Sequence, residues 1–365
     1  MIDAPALPPP AIVTPAPREV SFGLVAGLAP VGTRRVIVRI SYQVIRDEPL
    51  RGRRFSVRIP MPSTSFPLHV TAVDGSGRRS TTTVRPVFGL PPTAQPRHVA
   101  TSLDAVLGRT VRSLTRSAGG TTGVYVQDLR TGRGAAWNAR ARFPAASTLK
   151  LAVAVTVLRA LDGKPSADSR VAALLRAMLV RSDNASANAL EVWLGGSTGA
   201  GSARVDETMR ALGLRDSLMY GGYETTRSAA AARAPIPIRV EAQPVFEPGK
   251  YTTAWDLGRL ARAVYLAAAG KGPLVPLGVT APEARYLLWL LAQVEDRGKL
   301  DRHLGGAAVV LHKAGWLPQA RHDNGIVVFP GGAYVASVMT WRTPGADDFA
   351  GRISLAALHR FRSVG

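Results

Sequence analysis

Across residues 20–90 apolar side chains recur at every second position. Val36, Val38, Ile40, Tyr42 and Val44 share one face, with Arg35, Arg39, Ser41 and Gln43 on the other. Phe55, Val57 and Ile59 repeat the pattern, followed by Leu68, Val70 and Ala72 and then by Thr82 and Val84. Turn-forming residues at 47–49, 60–62 and 74–77 separate these runs. Short strands at this spacing predict a small all-β sandwich over 19–90. Ahead of it, residues 1–18 carry Pro8, Pro9, Pro10, Pro15 and Pro17, a composition that predicts an extended tether. Residues 91–100, with Pro91, Pro92 and Pro96, read as a linker.

Beyond the linker the period lengthens. Leu103, Val106, Leu107, Val111 and Leu114 predict an amphipathic helix over 102–117, with Asp104 in its first turn. Strand patterns follow at 122–129 and 135–138, then a stretch at 149–161 that is apolar all round and so predicts a helix buried in a core. Further helices are expected near 167–180, 185–194, 202–212, 255–269 and 282–295, with a long irregular stretch at 219–250. Strands at 307–313, 325–329 and 334–341 and a helix at 349–361 close the chain. This order predicts an α+β domain over 101–365: a five-stranded antiparallel sheet with the terminal helices on one face and the helical block on the other.

A formal charge of +21 and a pI near 11.3 favour an acidic neighbourhood such as nucleic acid, an anionic membrane or an anionic cell-wall polymer. The arginines are spread along the whole chain, and no basic run interleaved with aromatics, zinc-finger spacing or recognition helix is present, which excludes nucleic acid as the expected partner. With no cysteine there is no disulfide and no thiol nucleophile, a usage that fits an extracytoplasmic, secreted or cell-wall-associated protein. No apolar run reaches the roughly 20 residues of a transmembrane helix, and no basic-then-apolar signal peptide is visible. The six histidines are scattered without metal spacing, so neither metal nor cofactor is expected, and a monomer is expected.

The chemistry begins at Ser147 and Lys150. Three residues apart, they share one face if they lie on a helix, and a lysine in apolar surroundings has its neutral form favoured. A neutral amine beside a hydroxyl is a base beside a nucleophile. Downstream stand Ser182, Asp183 and Asn184 between two predicted helices, then Lys313, Ala314 and Gly315 at the end of a strand. Asp183 suits a helix cap as well as it suits chemistry. Ser-x-x-Lys, Ser-Asp-Asn and Lys-x-Gly in this order resemble the signature of penicillin-recognising serine hydrolases, the class A β-lactamases and penicillin-binding proteins. The resemblance runs from about residue 102 to the C-terminus and implies a β-lactamase/transpeptidase-like fold.

It also implies roles. Ser147 is the nucleophile, Lys150 its base, and the N–H groups of Ser147 and Trp316, beside Gly315, the oxyanion hole. Ser182 is the proton shuttle, Asn184 meets the acyl-side amide, and Lys313 supplies positive potential for a substrate carboxylate. Two departures stand out. Ala314 replaces the hydroxyl residue of the family pattern, for which Arg321 is the candidate substitute as a carboxylate anchor. The deacylation loop keeps an aromatic followed by Glu224 but lacks the Leu and Asn of the family pattern, and Glu247 is a rival. His322 is a candidate supporting residue near the site, and residues 195–199 match Gly-x-Ser-x-Gly only in letters, since a helix rather than a strand precedes them. The expected activity is hydrolysis of β-lactams through an acyl-Ser147 intermediate. The alternatives are a D-alanyl-D-alanine carboxypeptidase or esterase, acting on a cell-wall peptide or ester, and a non-catalytic cell-wall binding protein.

Overall fold

The computed structural model describes residues 6–223 and 240–363, in two compact units that divide between Gln95 and Pro96. Among its described residues the N-terminal unit holds eight strands: β1 (Ala11–Thr14), β2 (Glu19–Ser21), β3 (Leu24–Leu28), β4 (Thr33–Ile40), β5 (Gln43–Pro49), β6 (Arg54–Arg58), β7 (Ser65–Asp74) and β8 (Arg79–Gly89). They form a three-stranded sheet, β1-β3-β6, and a five-stranded sheet, β2-β8-β7-β4-β5. Val25, Phe55 and Val57 from the first meet Val36, Val38, Leu68, Val70 and Val84 from the second in one apolar core, as the period-two pattern requires.

The pattern misleads in two places. Alternation from Val36 to Val44 reads as one strand, yet Ser41, at φ 52°, and Tyr42 form the turn of the β4–β5 hairpin. Tyr42 is therefore 99% exposed and Val44 51% exposed rather than buried. The stretch expected as a tether contributes β1, which pairs antiparallel with β3. Its prolines flank an edge strand, where a missing N–H costs no ladder bond.

The C-terminal unit begins with β9 (Ser102–Leu103), α1 (Ala105–Ser117), β10 (Thr121–Asp128), β11 (Arg133–Trp137) and β12 (Phe143–Pro144). A helical block follows: α2 (Lys150–Ala160), α3 (Arg170–Val180), α4 (Asn184–Gly195) and α5 (Thr198–Ala211), then β13 (Tyr251–Thr252), α6 (Ala254–Ala267) and α7 (Ala281–Ala292). The chain closes with β14 (Val309–Leu317), β15 (Ala320–Phe329), β16 (Gly332–Trp341) and α8 (Ala346–Ser363). The sheet order is β14-β15-β16-β10-β11-β9; the first five strands are antiparallel, and β9 adds a two-residue parallel edge. This is the α+β arrangement the element order predicts.

Leu107 and Val111 of α1 pack with Phe349, Ile353 and Phe361 of α8 on one face of the sheet. Helix α6 covers the other, so closely that a Cβ on Gly258 would fall 2.3 Å from Tyr125 Cδ1. Asp104 turns out to be the N-cap of α1, accepting from the N–H groups of Val106 and Leu107, which leaves Leu103 outside the helix. Ser197 likewise caps α5 by accepting from Ala200 N, which gives residues 195–199 a structural role between two helices. Among the described residues no helix is long and apolar enough to cross a membrane.

Candidate active site

Three elements bring the polar residues together. The first is the turn before α2. Ser147 lies one turn ahead of the helix, which starts at Lys150, rather than on the helix itself. Ala146 before it sits at φ 48°, a left-handed conformation that costs a non-glycine residue about 1–2 kcal/mol. The turn is fastened by Thr148, whose Oγ1 donates to Ala145 O at 2.6 Å and whose N–H donates to the same oxygen at 3.2 Å. Ala145 N in turn donates to Lys250 O at 3.0 Å. From Lys150 to Leu158 every side chain of α2 is buried, so the Lys150 amine is carried into the core by its helix.

The second element is the link between α3 and α4. Ser182 adopts φ 59°, again left-handed, and Asp183 caps α4 by accepting from Ser186 N. The hydrogen bonds from Ser186 hold the Asp183 carboxyl below its ordinary range. Its role is thus the cap. Lys150 Nζ donates to Ser182 O at 2.6 Å and to Asn184 Oδ1, and lies 3.4 Å from Ser182 Oγ.

The third element is β14, at the edge of the sheet. Lys313 Nζ donates to Ser182 Oγ at 3.0 Å and to Ala314 O at 2.7 Å. Burial pushes the Lys313 amine down to about 8, against the upward pull of Asp296 and Asp323, with Lys299 adding a further downward push. Ser182 Oγ therefore sits between two buried lysines. Accepting from both occupies its lone pairs and turns its own O–H outward as a donor. Gly315 passes directly over the Ser147 turn: a Cβ there would fall 2.7 Å from Ser147 N and 2.9 Å from Thr148 N. Only glycine lets the strand edge come this close.

His322 holds the same edge from behind. Its Nδ1 accepts from Thr340 N at 3.2 Å, which leaves Nε2–H to donate to Pro144 O at 2.9 Å, three residues before Ser147. Burial pushes its imidazole down to about 4, so it stays neutral and acts as a strut. Trp316 follows Gly315 on the edge strand and is 62% exposed. Arg321 pairs with it across the hairpin; its guanidinium lies 5.2 Å from the indole and donates to Leu317 O at 2.9 Å. That guanidinium is engaged by its own hairpin, and among the described residues no contact joins it to Ser147, Ser182 or Lys313. Glu224 lies outside the described residues. Glu247 is exposed, and among the described residues no hydrogen bond or ion pair joins it to the Ser147 turn.

The sequence reading passed over Asn188, Glu191 and Lys250. Asn184, Asn188 and Glu191 are spaced by four and three, which puts them on one face of α4 turned to the site, a signal present in the sequence. Asn188 brackets Tyr223, donating to its carbonyl at 2.8 Å and accepting from its N–H at 2.6 Å. Glu191 is fully buried; burial raises its carboxyl to about 7 despite Lys250, a hydrogen bond from Ser202, and Lys150.

The model of the β-lactamase enzyme family matches residues 106–173 and 163–361. The chain belongs to that family. Among solved structures, PBP-A is similar at 19% identity and a TM-score of 0.57, over 72% of this chain and 98% of that one. A point variant of PBP-A, solved as an acyl-enzyme with penicillin G, is similar at 20% identity and a TM-score of 0.56, over 72% and 99%. A β-lactamase from Sphaerobacter thermophilus is similar at 20% identity and a TM-score of 0.53, with the same coverage. At these identities the likeness is one of fold, and it lies in the β-lactamase unit rather than the N-terminal sandwich. No curated protein sequence matches the chain.

Proposed function

We propose that this member of the β-lactamase family is a serine hydrolase that forms an acyl-enzyme at Ser147, with β-lactams as its substrate class. The observation that carries this reading is the Ser182 hydroxyl held between Lys150 and Lys313 at 3.4 and 3.0 Å, beside a nucleophile turn covered by Gly315. Ser147 Oγ attacks the amide carbonyl, with Lys150 as the base that takes its proton. The negative oxygen that forms is received by the N–H groups of Ser147 and Trp316. The proton passes from Lys150 to Ser182 as the Ser182 O–H donates to the leaving nitrogen. Lys313 attracts the substrate carboxylate, with Arg321 as its proposed partner at the hairpin end, and Asn184 meets the acyl-side amide. Water then releases the acyl group.

A second reading is favoured by Ala314, which has no hydroxyl for the carboxylate, and by the exposed position of Glu247. It is a D-alanyl-D-alanine carboxypeptidase or esterase with the same nucleophile and slower release of the acyl group. With either activity the proposed location is extracytoplasmic, secreted or cell-wall associated. The test is to incubate wild type and Ser147→Ala with a fluorescent penicillin and follow intact mass over time. Rapid turnover by wild type supports the lactamase and a long-lived adduct the peptidase. Absence of an adduct with both penicillin and a simple ester overturns the hydrolase reading and leaves the binding protein.

A further inference from the structure

Lys250 stands just outside this constellation and touches it at two points. Its carbonyl accepts from Ala145 N at 3.0 Å, two residues before Ser147. Its partly buried ammonium donates to Tyr220 O at 2.9 Å and Gly222 O at 2.7 Å, with Gly221 O at 3.5 Å. The same ammonium lies 4.8 Å from the centre of the Tyr223 ring, and Lys150 Nζ lies 4.6 Å from that centre. One buried aromatic ring therefore serves two lysines.

The surroundings hold this arrangement in place. Asn188 fixes the Tyr223 backbone through two hydrogen bonds, and Ser202 Oγ lies 3.1 Å from Gly221 O and 3.3 Å from Glu191 Oε2. Glu191 is buried in the same region, within electrostatic reach of both amines. The residue type is informative as well. The chain uses forty arginines and six lysines, yet a lysine stands here. Three tetrahedral N–H donors on one nitrogen can converge on three successive carbonyls of a curved segment, whereas a guanidinium presents its donors in one plane.

We propose that Lys250 is a positioning residue: by gathering the carbonyls of Tyr220, Gly221 and Gly222 it sets the Tyr223 ring against Lys150 and so fixes the amine that serves Ser147. Only its catalytic consequence rests on the hydrolase reading. The contact itself can be measured without substrate.

The experiment is lysine-selective carbon-13 NMR on the full chain, with the Lys150 ε-methylene signal assigned through Lys150→Met. An aromatic ring at this distance displaces that signal upfield. Tyr223→Leu is expected to abolish the displacement and Lys250→Met to remove most of it, with thermal melts confirming that each variant is folded. In both variants, acylation by the fluorescent penicillin is expected to slow by about tenfold or more, since small misplacements of a reacting group are costly. A Lys150 signal unmoved in folded Lys250→Met overturns the proposal, even if acylation slows. Should Lys250→Met fail to fold, Lys250→Gln, with two donors for three carbonyls, is expected to lose part of the displacement, and an undiminished one overturns it. A wild type that is never acylated removes the hydrolase reading and leaves the NMR comparison standing.

Discussion

The two units treat positive charge in opposite ways. Residues 1–95 contain twelve arginines and no lysine, and of those arginines ten are exposed and two partly exposed. In the C-terminal unit Lys150, Lys299 and Lys313 are buried and Lys250 is partly so. A solvated guanidinium costs almost nothing to keep, and its exposed ion pairs, such as Arg46 with Glu48, contribute little. A buried ammonium is expensive unless acceptors surround it, and each of these lysines has them. The comparison separates charge that composition supplies from charge that the fold has built a place for. Net charge alone conflates the two.

The largest effect is expected at Lys150. Lys150→Ala is expected to slow acylation by about a thousandfold, the scale of a lost general base, and unchanged acylation would assign the base elsewhere. Gly315→Ala comes next. Its new Cβ would press on Ser147 N, so acylation is expected to fall by about a hundredfold, with a stability loss of roughly 1–3 kcal/mol in a thermal melt. Lys313 gives a smaller, pH-dependent effect. Its charge is complete well below pH 8, half lost at about pH 8 and lost as pH rises further, so KM for an anionic substrate is expected to climb through pH 8 and to be flat only well below it. A steady-state pH series checks this, with an uncharged ester as the substrate whose KM should not respond.

The smallest effect belongs to the N-terminal unit. A cleft of about 340 Å³ there is lined in part by Arg46, Arg54 and Arg58, which suits an anionic polymer. Replacing the three by serine is expected to shift stability by less than about 0.5 kcal/mol each and leave acylation unchanged, while reducing retention on an immobilised polyanion. Unaltered retention would mark the arginine surplus as compositional.

Much of this molecule was legible in its sequence. The period-two runs, the all-round apolar helix after Ser147 and the order of the elements specify a sandwich and an α+β domain, because burial dictates where apolar side chains must recur. Ser147 and Lys150 stood out as polar groups beside an apolar stretch, while Ser182, Asn184, Lys313 and Gly315 were visible through the resemblance that the three motifs, taken in order, bear to the family signature. What the pattern could not hold was position in space. The β4–β5 turn at Ser41 and Tyr42 interrupts an alternation that continues in the letters, and the Pro-rich start becomes an edge strand only because β3 offers it a partner. Tertiary packing alone placed Ser182 Oγ between lysines that stand 32 and 131 residues from it in the chain. It alone gave Glu191 and Lys250 their burial, since local sequence does not state which side chains will share a dry interior. The sequence by itself determined which groups could react; the fold decided which of them meet, because the burial and most of the partners that surround them are supplied by distant parts of the chain.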